Sequence, residues 1–95
     1  MAELHDILLR PIITEKTTRL MDDENTYVFQ VGDAANKVQV KRAIEALYGV
    51  QVASVRTLRM RGKVKRFGRH YGKRSNWKKA YITLAEGHAL DLFES

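Results

Sequence analysis

Residues 26–31 read Thr-Tyr-Val-Phe-Gln-Val, with Tyr27, Phe29 and Val31 at alternate positions. That period of two marks a half-buried strand, and the aromatic and β-branched residues favour it. The rhythm then changes. Between Lys37 and Tyr48 the apolar residues Val40, Ala43, Ile44 and Leu47 recur at helical spacing, while Lys37, Lys41, Arg42 and Glu45 mostly take the opposite side. Asn36 stands where an N-cap is needed, Gln39 completes a capping-box pattern three residues on, and Gly49 supplies a left-handed stop. A helix over 37–48 is the strongest local prediction. The valine-rich residues 50–60 predict a second strand, and 77–84 a third whose Ala80, Ile82 and Leu84 share a face.

The remaining segments are less regular. Residues 1–13 read as an extended lead-in, because Pro11 fixes its own backbone and turns Arg10 away from helix. Thr14 is placed to cap a short helix, Glu-Lys-Thr-Thr-Arg-Leu-Met-Asp-Asp, with Glu15 in the first turn. Asp22 to Glu24 with Asn25 mark a turn, Gly32–Ala35 another, and 85–95 a turn with a short terminal helix. The order helix, strand, helix, strand, strand gives an α+β fold: a small antiparallel sheet with helices on one face. The helical crossover suits the first two strands lying in one sheet. The last two form a hairpin whose long basic loop, residues 61–76, projects between them, where hairpin loops typically need about 2–5 residues. With 95 residues, no repeat and no boundary, residues 1–95 are one domain.

Charge changes the picture more than composition does. A hydrophobic content of 44% is ordinary for a folding chain, and the absence of cysteine excludes disulfides and thiolate metal sites and fits a reducing compartment. The first residues resemble neither a signal peptide nor a membrane span, so the default expectation is a soluble cytosolic protein. The net charge of +6 is unevenly spread. No acid lies between Glu45 and Glu86, and that interval holds eleven of the seventeen Lys and Arg; the rest of the chain has six bases against eleven acids. Positive charges in such a block repel one another, so folding alone does not favour them. A polyanionic partner does.

The connection 61–76 and the start of the third strand carry the chemistry. Lys63, Lys65, Arg66, Arg69, Lys73, Arg74, Lys78 and Lys79 are candidate phosphate contacts; Phe67, His70, Tyr71 and Trp77 are candidates for stacking on unpaired bases. For Trp77, at a strand start, packing is as good a reading as stacking. Gly62, Gly68 and Gly72 let the backbone bend and approach closely. The combination favours structured RNA, with order in the loop coupled to binding. It separates RNA from DNA only weakly. Lys37, Lys41 and Arg42 either add contacts or are simply solvated. Anionic lipid fits less well, for want of an amphipathic helix or lipidation signal. A four-stranded RNA-recognition module fits poorly, because Lys-Arg-Phe-Gly-Arg-His-Tyr-Gly lacks its signature aromatics. Catalysis, cofactors and metals are not expected. His5, His70 and His88 are scattered, Ser54, Ser75 and Ser95 lack a nucleophile's setting, and no phosphate-cradling glycine motif occurs.

Three blocks, Arg-Pro-Ile-Ile-Thr-Glu-Lys-Thr, residues 36–58, and residues 62–87, together resemble the bacterial form of the large-subunit ribosomal protein twenty-three family. The resemblance spans roughly Leu9 to Asp91 and is most distinctive in the third block. It implies a non-enzymatic structural constituent of the large ribosomal subunit, in the cytoplasm, bound to large-subunit rRNA at the rim of the peptide exit tunnel and beside other large-subunit proteins. It further implies that the basic hairpin points inward to the tunnel wall. The outer face would serve as a platform for trigger factor, signal recognition particle and the translocon, with neither a small-molecule substrate nor insertion into the membrane. In the family an exposed acid of the Ser/Thr-Glu-Lys motif pairs with a basic chaperone loop; here that residue is Glu15. Read without the resemblance, Glu15 is a helix-dipole partner worth ~0.3–1 kcal/mol. The rival to the ribosomal reading is a free-standing RNA chaperone or DNA-bending protein using the same charges.

Overall fold

The computed structural model describes residues 4–62, 64–67, 70–73 and 76–92, with 64–67 and 70–73 described by their backbone. Its elements, in chain order, are α1 (Leu4–Ile7), β1 (Leu8–Pro11), α2 (Glu15–Glu24), β2 (Thr26–Val31), α3 (Lys37–Tyr48), β3 (Val52–Met60), β4 (Val64–Phe67), β5 (His70–Lys73) and β6 (Trp77–Leu84). Four strands form one sheet in the order β1-β2-β6-β3, and all its pairs are antiparallel. β2 and β3 thus run parallel to each other with β6 in the slot between them. A crossover through α3 joins them, a split βαβ unit.

Local chemistry sets the helix ends. Asn36 accepts from the Gln39 backbone N–H at 2.9 Å, and the Gln39 side chain accepts from Asn36 N–H at 3.0 Å. Gly49 ends α3 at φ 64°, ψ 34°, with its N–H bonded to the Glu45 carbonyl. At α2 a reciprocal box joins Thr14 and Thr17, at 3.2 and 2.7 Å. The acids 22–24 finish this helix rather than forming a turn, and Asn25 stops it at φ 51°.

The core lies between α3 and one face of the sheet. Val40, Ala43 and Ile44 meet Tyr27, Phe29 and Val31 of β2 and Ala80, Ile82 and Leu84 of β6, all of them buried. Each fully buried large aliphatic side chain contributes about 1.5–3 kcal/mol. Leu47, placed by its spacing on the buried stripe, is exposed near the end of α3. Gly32 marks a close approach: its N–H reaches the Ile7 carbonyl at 3.0 Å, and a Cβ there would stand 2.5 Å from the Asp6 carbonyl oxygen.

The α+β class and the antiparallel sheet are as expected, and four further details differ. The lead-in is not simply extended; it holds α1 and the edge strand β1, whose Pro11 sits at the strand's end, where a missing N–H is tolerated. Residues 88–92 form no helix, because their backbone is tied elsewhere: Tyr27 Oη accepts from Leu90 N–H at 3.1 Å, and Asn25 donates to the His88 carbonyl at 2.9 Å. The connection between β3 and β6 carries its own two-stranded ladder, β4 with β5. Finally, the helices do not share one face. α2 packs against β2, and its Lys16, Leu20 and Glu24 line a cleft with Thr26, Ser54, Arg56, Tyr81 and Thr83, residues on the side of the sheet away from α3. Val28 is 2% exposed on that reverse side, so β2 buries both faces, which a strict alternation does not foresee.

Candidate nucleic-acid interface

The β3–β6 ladder runs from Val52↔Leu84 to Met60↔Trp77 and there opens into the basic connection. Gly62 N–H donates to Asn76 Oδ1 at 3.0 Å, which clips the two arms together at the base. Beyond it, β4 and β5 pair with Val64↔Lys73, Lys65↔Gly72, Arg66↔Tyr71 and Phe67↔His70 in register. A two-stranded ribbon thus brings Lys65, Arg66, Phe67, His70, Tyr71 and Lys73 together along one ladder, with Arg66 in register with Tyr71 and Phe67 with His70. Lys63, Arg69 and Arg74 lie outside the described residues.

At the root of the ribbon the neighbours Lys78 and Lys79 part company, as alternate strand residues must. Lys78 lies on the α3 side, and its Nζ donates to the Ala35 carbonyl at 2.6 Å, tying β6 to the turn that precedes α3. Lys79 lies on the reverse side, 5.2 Å from the centre of the Tyr81 ring. Arg56 approaches the same ring at 5.1 Å. Trp77 is half-buried opposite Met60. Arg56 and Tyr81 escaped the sequence reading. Arg56 was counted only within the charge block, and the register that sets it against Tyr81 is not a local signal.

The other candidates are spread widely. Lys37, Lys41 and Arg42 are exposed on α3. Glu15 is exposed in the first turn of α2, and with Thr18, Arg19, Asp22 and Asp23 it borders a shallow, mostly acidic depression. Among the described residues no group of three His, Cys, Asp or Glu is placed to hold a metal ion. No described helix is long and apolar enough to cross a membrane.

The sequence is similar to those of known proteins. The family model described as Ribosomal protein L23 matches residues 6–92. The large ribosomal subunit protein uL23 of Geobacter sulfurreducens is 57% identical over 91 residues, covering 96% of this chain and 97% of the relative. That of Syntrophotalea carbinolica is 54% identical over 93 residues, with 98% of each chain covered. The uL23 of Roseiflexus castenholzii is 53% identical over 90 residues, with 95% of each covered. With its family model matched from end to end of the folded body, the chain belongs to the ribosomal protein L23 family.

Proposed function

We propose that this protein is a structural, non-enzymatic constituent of the large ribosomal subunit that binds rRNA through its basic hairpin. The observation that carries the reading is the pair of antiparallel ladders, β3 with β6 and β4 with β5, whose strands hold most of the acid-free block of charge. Lys63, Lys65, Arg66, Arg69, Lys73, Arg74, Lys78 and Lys79 neutralise phosphates, with Lys78 also holding the body together. Phe67, His70, Tyr71 and Trp77 stack on bases. The hairpin lies toward the peptide exit tunnel, beside other large-subunit proteins. The acidic outer surface of α2, with Glu15 exposed, faces the factors that meet the nascent chain: trigger factor, signal recognition particle and the translocon. The family's relatives, named as large-subunit proteins, support the ribosomal part of this reading.

Salt dependence tests it. Replacing Lys65, Arg66 and Arg69 by Ala lowers the slope of log K against log salt for rRNA binding by about two to three units, because each phosphate contact contributes roughly 0.7–0.9. The wild type co-sediments with large subunits at high salt. Release at moderate salt with indiscriminate DNA binding would instead identify a free-standing nucleic-acid chaperone.

A further inference from the structure

We propose that the open half of the sheet's reverse face is a second rRNA-binding surface, in which Arg56, Lys79 and Arg10 contact phosphates and Tyr81 and Trp77 supply the aromatic floor. The inference rests on the rRNA reading above and extends it from the hairpin to the body. Strand register brings the surface together. The pairs Met60↔Trp77, Leu58↔Lys79 and Arg56↔Tyr81 stand side by side on the reverse face, starting at the root of the hairpin. Across β2, Gln30 is paired with Lys79 and with Arg10, whose Nε donates to Gln30 Oε1 at 2.8 Å. The helix α2 flanks the far end of this face; Arg56, itself exposed, and Tyr81 stand at the rim of its cleft, which Lys16, Leu20 and Glu24 line from the helix. The end nearer the hairpin carries Leu58, 44% exposed.

Charge selects the occupant. None of the strand residues directed to this face is acidic. Arg56 and Lys79 both rest against the ring of Tyr81, so two cations crowd one aromatic, an arrangement that an anion between them relieves. A protein partner buried on an apolar sheet would not need three cations, whereas a phosphodiester strand leaving the hairpin passes the Met60↔Trp77 pair and then meets Lys79 and Arg56 in turn. Arginines on edge strands such as β3 also discourage sheet-to-sheet pairing. That role alone would leave RNA binding untouched, which makes the two separable.

The test uses the full chain and in vitro transcribed large-subunit rRNA. The double variant R10Q/R56Q leaves the hairpin intact and lowers the salt slope by about 1.5 units, two contacts at roughly 0.7–0.9 each. An unchanged slope in R10Q/R56Q, beside a reduced one in the Lys65, Arg66 and Arg69 variant, overturns this surface and leaves the hairpin reading standing. An unchanged slope in both variants overturns both. A second measurement needs no variant and decides the matter if R10Q/R56Q misfolds by circular dichroism. Modification of the wild type by an arginine-specific dicarbonyl should be blocked by rRNA at Arg56 and not at Arg42 on α3. Equal labelling of Arg56 with and without rRNA, or protection by anionic vesicles alone, overturns the proposal.

Discussion

Asn25 occupies the left-handed region at φ 51°, ψ 36°, where it ends α2 and lets β2 begin at the next residue. Its side-chain amide does a second job, donating to the carbonyls of His88 at 2.9 Å and Ala85 at 3.5 Å. An alanine there loses both: about 1 kcal/mol or more for the left-handed backbone and about 1 for the hydrogen bonds. Chemical denaturation should therefore place N25A about 2 kcal/mol below the wild type. N25G, free of the backbone penalty, falls between them; equal losses in the two variants would assign the whole effect to the tie with the C-terminal segment. Local roles were legible here and distant ones were not. The caps Asn36, Gln39 and Gly49 act within a few residues of themselves, so spacing reveals them. The bonds from Asn25 to His88 and from Lys78 to Ala35 depend on how strands are ordered in the sheet, and no local pattern encodes that.

Among the elements, α3, β2 and β6 were legible because each buries a face that its own periodicity declares, while β3 was legible from its valines although only Val52 is buried. β1 has only four residues and a proline at its end, too short to display a period. The C-terminal segment read as helix from its composition, but hydrogen bonds to Asn25 and Tyr27 hold it otherwise. α2 was found, yet not its face, since Lys16, Leu20 and Glu24 line a cleft of mixed polarity rather than an apolar seam. The outward side of α2 keeps Glu15, Asp22 and Asp23 exposed. Two roles for Glu15 then predict different results for E15A. As a helix-dipole partner it costs ~0.3–1 kcal/mol of stability and nothing else. As the docking acid it weakens trigger factor binding as well, while rRNA affinity stays at the wild-type value. Titration of large subunits carrying E15A with trigger factor decides between them, and undiminished affinity leaves only the dipole role.

At the scale of the whole molecule, the body and the hairpin divide the work. The radius of gyration, 14.9 Å, exceeds the ~13 Å of a compact globule of about 100 residues, and the longest dimension is 53 Å against 34 and 26 Å. Among the described residues, the buried cluster that holds the body draws on residues 7–52 and 80–90. The sequence already separated these parts, since the segment dense in charge is also poor in aliphatic residues; what it hid was the β4–β5 ladder, whose residues carry no apolar period. The two parts should therefore come apart experimentally. Met60 and Trp77 are directly paired, so an Asn-Gly turn in place of residues 61–76 closes β3 onto β6 as a two-residue hairpin. Shortening a sixteen-residue connection to two residues lowers the entropy cost of closure by up to ~2 kcal/mol, so thermal unfolding of the truncated protein should remain cooperative, at or above the wild-type midpoint. Its rRNA affinity should fall and its salt slope shrink to what the reverse face supplies. A truncated protein that competes equally with the wild type for large subunits at high salt would mean that the body alone anchors the molecule, and the charge drawn out into the hairpin would need another explanation.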